Sequence, residues 1–140
     1  DLAEGFSDAC VAGPGMLVLR GPAHSLERGE PDPRLEDLAR CLEAWPNREG
    51  FPLVAVVDDP AFCAAGLDNF LWVVFTRSDP ATDSYGAHAQ TRAKHWSCAA
   101  PLILDARLKP FHAPPLEEDP AVTRRVEALA APGGPLHGYF

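Results

Sequence analysis

Two apolar runs without alternation constrain the fold more than any other feature of this 140-residue chain. The run PLVAVV spans residues 52–57 and leads into Asp58, and the run PLILD spans 101–105. Strands that are covered on both faces, as in a parallel sheet, are apolar throughout, whereas half-exposed strands alternate. A third run, MLVLR at 16–20, is bounded by glycine and proline on both sides. The three runs therefore predict buried strands.

Three helices are predicted between and after these strands. Asp32-Pro33 and Asp119-Pro120 each supply an N-cap and a proline suited to the first helical position. The middle helix runs from about residue 66 to 77 and ends before Pro80, because a proline disfavours helical geometry in the residue before it. The predicted core-facing positions are Leu35, Leu38, Ala39 and Leu42 in the first helix, Leu67, Phe70, Leu71 and Val74 in the second, and Val122, Val126 and Leu129 in the third.

Strands that alternate with helices predict one α/β domain over residues 1–140, a three-layer α/β/α sandwich with a mostly parallel sheet. Residues 84–97 indicate only a short strand and a loop, and residues 110–115 a proline-rich crossing. The middle helix is apolar almost all round because of Trp72, Val73 and Phe75. Such a helix is expected between two layers or against another subunit.

Charge and cysteine content exclude several classes of protein. Twelve basic and twenty acidic residues give a net charge of −8, so nucleic acid and anionic membranes are not expected partners. No apolar run approaches the length of a membrane span. The four cysteines are scattered without a CxxC pair, which favours reduced thiols in a cytoplasmic protein. The start at Asp1, without an initiator methionine, is expected of an excised or processed sequence.

Local motifs for metal, phosphate or nucleophilic chemistry are weak. His95 and Cys98 lie three residues apart and His88 precedes them, but zinc requires three or four ligands in closely spaced pairs. We therefore predict no metal site, and a buried thiol beside a hydrogen-bonded histidine is favoured. No GxSxG, GxGxxG or P-loop pattern is present. A small hydrolase that uses Cys98 and His95 is the weakest of the functional hypotheses.

Charged side chains gather in two places along the second half of the chain. Arg77 stands at a predicted helix C-terminus with Asp79 and Asp83 nearby, which predicts either a capped helix end or an anion site. A second basic group could receive a carboxylate or an acidic partner. Local pairing with acidic neighbours is the alternative. The basic group comprises Lys94, His95, Arg107, Lys109 and His112, and its acidic neighbours are Asp105, Glu117 and Glu118.

Several segments together resemble the C-terminal domain of the UbiD-like decarboxylases. They are LDNFLWVVFTRSDPATDSYG, KHWSC, PLILDARLKP, HAPPLEEDP and GGPLHG, and the resemblance is strongest over residues 51–138. Members of this family remove or add carboxylate on aromatic and unsaturated acids. The likeness is greatest to members assigned to quinone biosynthesis, which act on polyprenyl-hydroxybenzoate or naphthoate-type precursors. The resemblance implies that the chain is part of a carboxy-lyase.

In that family, prenylated FMN, its divalent metal and a Glu-Arg-Glu set belong to a preceding domain. The resemblance therefore implies that this chain binds no cofactor, carries no catalytic residue and is inactive alone. It would pack subunits together as a homo-oligomer and enclose the substrate beside a flavin-binding domain or subunit. The alternative is a free-standing, non-enzymatic module that binds a partner decarboxylase or an aromatic acid.

The family pattern also suggests which residues line the substrate pocket or contact a neighbouring subunit. Two positions depart from the pattern: Ser97 stands where glycine is expected, and Phe111 where a second histidine is common. Both departures suggest that the pocket role of this domain has relaxed. The predicted pocket or interface residues are Thr76, Arg77, Asp79, Lys94, His95, Trp96, Asp105, Arg107, Lys109 and His112.

Overall fold

The computed structural model of the chain describes residues 2–114 and 117–139. The start at Asp1 and the last residue of the predicted proline-rich crossing lie outside this range. The elements in chain order are β1 (Ser7–Gly13), β2 (Met16–Arg20), α1 (Pro33–Glu43), a 3₁₀ turn (Arg48–Gly50), β3 (Leu53–Val57), α2 (Pro60–Ala64), α3 (Leu67–Arg77), β4 (Ser84–Arg92), β5 (His95–Asp105) and α4 (Pro120–Ala130).

The five described strands form one sheet in the order β1-β2-β3-β5-β4. The predicted strands β2, β3 and β5 run parallel, with Leu17 beside Val54 and Val54 beside Ile103. The two edge strands, β1 and β4, pair antiparallel. The α/β class is confirmed, but the sheet is parallel only at its centre. Each edge strand is joined to its neighbour by a two-residue turn, a link that permits only antiparallel pairing.

Alternate residues of the central strands reach two separate cores, one on each face of the sheet. On one face, Leu19 and Val56 pack with α1, whose four predicted core residues are all buried. On the other face, Val18 and Val57 pack with buried residues of α2 and α3. The predicted three-layer arrangement is therefore confirmed. The period of two along each strand explains it, because successive side chains point to opposite faces.

Three helices begin at an Asp-Pro pair in which the aspartate caps the helix. The Oδ1 atom of Asp32 accepts a hydrogen bond from the Arg34 amide at 3.0 Å, and that of Asp119 accepts from the Ala121 amide at 2.8 Å. Both predicted helix starts are confirmed. The same motif at Asp59 opens α2, a short helix that was not predicted from the sequence.

The predicted core face of α3 is partly wrong. Phe70 and Val74 are buried as expected, but Leu67 and Leu71 are exposed and Val73 is buried instead. Because this helix is apolar almost all round, its periodicity does not identify the inward face. Phe75 is 79% exposed. The expected covering of the helix by another layer or subunit is therefore not made within the described part of the chain.

The predicted core face of α4 is also wrong. Val122, Val126 and Leu129 lie on one side of the helix, yet each remains between 44% and 49% exposed. No residue of α4 is buried. Amphipathic spacing alone therefore did not indicate packing on the core.

Residues 84–105 form a β-hairpin, whereas only a short strand and a loop were expected over residues 84–97. Its turn is Ala93-Lys94, with φ values of 49° and 68°, as a two-residue hairpin turn of primed type requires. Strand β5 begins six residues earlier than the predicted run at 101–105. Of the helices within residues 2–114 and 117–139, none has the length and hydropathy to cross a bilayer.

Candidate functional site

The polar cluster with the most buried charge lies where β3 and β5 end. Asp58 directly follows β3, Asp105 is the last residue of β5, and Arg107 follows two positions later. The carboxyl ends of parallel strands meet at one edge of a sheet, which brings these distant residues together. In open α/β sheets this is also the edge where ligands bind.

Arg107 is the centre of this cluster and is completely buried. Its Nε donates to Oδ1 of Asp105 at 2.8 Å, and its Nη2 donates to Oδ2 of Asp105 at 2.8 Å. The same Nη2 donates to Oδ2 of Asp32 at 2.7 Å, and Nη1 donates to the Pro22 carbonyl at 2.7 Å. Since Asp32 also caps α1, the guanidinium fastens the start of that helix to the end of β5.

Lys109 makes a second buried connection and is only 3% exposed. Its Nζ donates to the carbonyls of Arg77 at 2.9 Å and Asp105 at 3.0 Å, and it lies 3.1 Å from Oδ2 of Asp83. The ammonium group therefore links the end of α3, the end of β5 and the residue before β4. Three oxygen neighbours match the three protons of a lysine ammonium.

Arg77 pairs with a different acid from those predicted. Its Nη1 donates to Oδ2 of Asp58 at 2.9 Å, and its guanidinium lies 5.5 Å from the centre of the Trp72 ring. Asp79 and Asp83 instead tie the following turn, since the Asp79 amide donates to Oδ2 of Asp83 at 2.7 Å. The end of α3 and the turn that follows it thus agree with the interpretation as a capped helix end.

A polar cleft of about 210 Å³ opens beside this network. Nδ1 of His112 accepts a hydrogen bond from the Lys109 amide at 3.2 Å, so the ring proton of the neutral form is on Nε2. Burial and the neighbouring Lys109 lower the pKa of His112, which favours that neutral form. Four predicted residues line the cleft, namely Thr76, Arg77, Asp79 and His112, together with Arg28, Ser78, Thr82, Asp83 and Phe111.

The predicted basic group does not form one cluster. Lys94, His95 and Trp96 lie at the tip of the β4–β5 hairpin and are exposed, whereas Arg107 and Lys109 are buried beyond the other end of β5. At about 3.3 Å per residue, the ten steps from His95 to Asp105 span about 30 Å. The pairing of Arg107 with Asp105 agrees with the local alternative, while Glu117 and Glu118 are exposed.

Several residues of the site were absent from the predicted set, among them Asp32, Asp58 and Arg28. Asp32 was interpreted only as a helix cap and Asp58 only as the residue after a strand, and Arg28 was given no role. Arg28 places its guanidinium 5.4 Å from the centre of the Phe111 ring. Phe111, one of the two departures from the family pattern, therefore lies in the cleft. An Asp-Pro cap shows where a helix starts, but no sequence signal identifies a partner 75 positions away.

His95 and Cys98 do not form a catalytic pair. His95 and Cys98 are three residues apart in β5, so their side chains leave opposite faces of the strand. Burial raises the pKa of the Cys98 thiol, and it raises that of the fully buried Cys63 to about 11, which keeps both protonated. Within residues 2–114 and 117–139, no three His, Cys, Asp or Glu side chains are grouped to hold a metal ion.

The ionisation of Asp32 should make the stability of the fold sensitive to acid. Burial would raise the pKa of this carboxyl, but hydrogen bonds from Arg34 and Arg107 outweigh burial and hold the pKa well below its usual value of 3.8. A lowered carboxyl pKa stabilises the fold above the unfolded value, and the contribution is lost as the pH falls below it.

We expect the free energy of unfolding to fall between about pH 5 and about pH 3, with a smaller slope in Asp32→Asn than in the wild type. Urea unfolding at a series of pH values measures this slope. Asp37→Asn, in which the replaced carboxyl is exposed and pairs with Arg40, is the matched control. Equal slopes in Asp32→Asn and the wild type would contradict the assignment.

Comparison with known proteins gives a clear relative. No protein-family model matches the chain. The chain is 30% identical over 109 residues to a 4-hydroxybenzoate decarboxylase subunit of Chlamydia pneumoniae, a match that covers 76% of this chain and 17% of that protein. The chain is related to a decarboxylase subunit. This supports the decarboxylase part of the resemblance found in the sequence.

Other relatives extend this similarity without adding a function. An uncharacterised protein of Chlamydia trachomatis is 34% identical over 95 residues, covering 68% of this chain and 15% of that protein. The chain thus spans less than a fifth of the length of these relatives. Among solved structures, the open form of the vanillic acid decarboxylase of Sedimentibacter hydroxybenzoicus matches 82% of this chain and 26% of its own, at 15% identity and a TM-score of 0.45.

Proposed function

We propose that this chain is the C-terminal, subunit-packing and substrate-enclosing domain of a UbiD-like aromatic acid decarboxylase. The observation that carries the proposal is the 30% identity to a hydroxybenzoate decarboxylase subunit over 76% of the chain. Coverage of only 17% of that protein is what a domain of a larger enzyme would give. The proposed substrate is of the polyprenyl-hydroxybenzoate or naphthoate type, as in quinone biosynthesis.

The buried charges support a structural rather than a catalytic role for the centre of the site. The side-chain N–H groups of Arg107 and Lys109 donate hydrogen bonds to oxygen atoms of the same chain, and both side chains are almost inaccessible to solvent. A side chain that is buried and hydrogen-bonded in this way fixes the strand and helix ends around it, but it does not touch a substrate. Arg107, Lys109 and Asp105 would therefore shape the cleft, while Thr76, Arg77, Asp79 and His112 would form its wall.

The cofactor would belong to the remainder of the enzyme. Prenylated FMN supplies an electron sink for the departure of CO2 in the family that the chain resembles. The described residues provide no group of metal ligands and no glycine-rich phosphate loop. The proposal therefore assigns the flavin and its divalent metal to a separate domain or subunit, and it assigns no step of decarboxylation to this chain.

An exposed apolar surface on α2 and α3 supports contact with another protein domain. We call it the α3 patch, and it comprises Phe62, Leu67, Leu71, Trp72 and Phe75, which are 41% to 79% exposed. The Phe62 and Trp72 rings meet edge to face with centres 6.2 Å apart. Aromatic side chains in a continuous exposed patch are typical of protein interfaces. The proposed occupants are a second subunit or the flavin-binding domain.

The decisive experiment compares the complete protein that carries this sequence with the 140-residue chain alone. We expect CO2 release from an aromatic acid by the complete protein when it is loaded with prenylated FMN and a divalent metal. The 140-residue chain with the same additions should release none. Turnover by the isolated chain, or none by the loaded complete protein with any hydroxybenzoate or naphthoate, would refute the proposal.

A pair of substitutions in the complete protein tests the α3 patch. Trp72→Ser combined with Phe75→Ser should lower decarboxylase activity at least about tenfold and shift the assembly to smaller species, because the interface loses its aromatic anchors. Val126→Ser, at a half-exposed apolar position of α4, is the matched control. Unchanged assembly in the double variant would contradict a role of the patch in subunit or domain packing.

The second candidate, a free-standing module that binds a partner decarboxylase or an aromatic acid, is distinguished by size. Immunoblotting of source cells gives the mass of the native polypeptide. A band several times heavier than the 15.1 kDa of this chain is expected for the domain of a complete enzyme. A band near 15.1 kDa would instead favour the free-standing module, whose polar cleft would then be the proposed ligand site.

A further inference from the structure

We propose that Arg28 binds the carboxylate of a small aromatic acid in the polar cleft, and that the loop which carries Arg28 covers the bound ligand. The loop comprises residues 22–32 and joins β2 to α1. This inference rests on the proposed function, because it names the ligand class and the binding residue of the same cleft. Binding of the ligand can nevertheless be measured without turnover.

The two ends of the loop are held together by one buried side chain. Arg107 donates from Nη1 to the Pro22 carbonyl at 2.7 Å and from Nη2 to Oδ2 of Asp32 at 2.7 Å. Residues 27–30, at the tip, are all exposed. Compact surface loops whose ends lie close together frequently carry functional residues. The base of this loop is therefore fixed, while its tip is free to adjust to a ligand.

The loop meets the cleft at the Phe111 ring. The guanidinium of Arg28 lies 5.4 Å from the centre of this ring, and the His24 ring meets it edge to face with the centres 6.2 Å apart. A cation–π contact is favourable at this distance, yet it uses none of the five N–H donors of a guanidinium. Phe111 therefore holds Arg28 at the cleft and leaves its donors available to a ligand.

Arg28 is the cation of the cleft wall that lacks an acidic partner. Arg77, the other cation of the wall, donates to Asp58 at 2.9 Å. Glu30, near Arg28 in sequence, instead accepts from the Glu27 amide at 3.2 Å. Within the described part of the chain, Arg28 makes no hydrogen bond or ion pair. A guanidinium in this state can bind a carboxylate through two parallel hydrogen bonds.

His112 supplies a second donor beside the same ring. Its ring meets the Phe111 ring edge to face with the centres 5.3 Å apart, and its Nδ1 accepts from the Lys109 amide, which leaves the proton on Nε2. The cleft volume of about 210 Å³ is smaller than the roughly 300–1,000 Å³ of pockets for drug-sized ligands. The aromatic wall and this size together favour an acid with a single ring.

Two carboxylates also line the cleft, and both already have other partners. Oδ2 of Asp83 lies 3.1 Å from Nζ of Lys109 and accepts from the Asp79 amide. Oδ1 of Asp79 accepts from the Ala81 amide at 3.0 Å, and this residue is exposed, so solvent screens its charge. An incoming anion is therefore attracted to Arg28 with little opposition from the wall.

Calorimetric titration of the full chain with benzoate tests the carboxylate site. Arg28→Gln should raise the dissociation constant of benzoate about tenfold or more, because a charge-assisted pair of hydrogen bonds is lost. Arg124→Gln, at an exposed arginine of α4, is the matched control and should leave binding unchanged. Benzamide, which has the same shape without the charge, and acetate, which lacks the ring, should both bind more weakly than benzoate.

Trypsin tests whether the loop covers the ligand, since the bond between Arg28 and Gly29 is a cleavage site at the loop tip. Saturating benzoate should slow cleavage at this bond, because a loop held on a ligand opens less often. Cleavage after Arg124 should proceed at the same rate with and without benzoate. Mass spectrometry of the fragments follows both sites in one sample.

Several results would overturn the inference. They are no binding of benzoate at about 10 mM, where even a weak ligand of this size binds, and wild-type affinity in Arg28→Gln. Benzamide or inorganic phosphate that binds as tightly as benzoate would exclude recognition of an aromatic carboxylate, and unchanged cleavage at Arg28 would exclude a covering loop. If the loaded complete protein still releases CO2, each of these results refutes this inference alone. Benzoate binding without CO2 release would refute the proposed function alone.

Discussion

Replacing Arg107 with methionine is expected to lower the free energy of unfolding by about 3–5 kcal/mol. The guanidinium is completely buried and holds the carboxylates of Asp32 and Asp105, each no more than 2% exposed. Methionine preserves much of the side-chain volume but removes every donor. The Asp105 carboxylate and the Pro22 carbonyl then lose their guanidinium donors, while Asp32 keeps only its contact with Arg34. Leaving a buried charge short of donors costs more than losing an exposed ion pair.

Urea unfolding measures this loss, and an exposed ion pair of the same chemistry is the control. Arg20 contacts Asp8 at 2.6 Å, but both side chains are about half exposed, so Arg20→Met should cost far less than Arg107→Met. Arg107→Lys should recover only part of the loss, because an ammonium group cannot reproduce the two parallel hydrogen bonds to Asp105. A loss in Arg107→Met no larger than that in Arg20→Met would show that the network does not hold the fold together.

Replacing Leu38 with alanine is expected to lower the free energy of unfolding by about 2–5 kcal/mol. Leu38 is completely buried where α1 packs on the sheet. Truncation there removes apolar contact and leaves a cavity that the well-paired sheet beneath it cannot fully close. The denaturant midpoint should fall without a change in the slope of the transition, because the surface exposed on unfolding is nearly the same.

Val126→Ala is the matched control for this substitution, since it also removes methyl groups from the apolar face of a helix. Val126 is 45% exposed in α4, so its truncation should change the free energy of unfolding by no more than about 0.5 kcal/mol. Similar losses in the two variants would mean that α4 packs on the core in solution. The pair of variants thus separates a helix that belongs to the sandwich from one that does not.

The centre of the fold was predictable because strands that are buried on both faces consist of consecutive apolar residues. The runs at 16–20, 52–57 and 101–105 are strands covered on both faces, and each was recognised from its unbroken apolar character. The hairpin was missed for the same physical reason. Its residues from 88 to 97 are exposed on both faces, so no alternation of apolar and polar residues records the strands.

The candidate site was only partly predictable because its contacts join distant parts of the chain. The pairing of Arg107 with Asp105, two residues apart, was among the local alternatives. The contact of Arg107 with Asp32 spans 75 positions and follows from the packing of α1 on the sheet. Lys94 and Arg107 were assigned to one basic group from the sequence, but the extended strand between them separates the two charges.

The burial of Cys63 gives the protein an intrinsic reporter of its own motions. Its thiol is sealed between α2 and the sheet and has a pKa of about 11, so alkylating reagents at neutral pH meet neither an open path nor a thiolate. The Cys63 thiol can therefore be alkylated only when α2 transiently separates from the sheet. The rate of labelling at Cys63, followed by mass spectrometry, therefore measures how often this face of the fold opens, without any introduced probe.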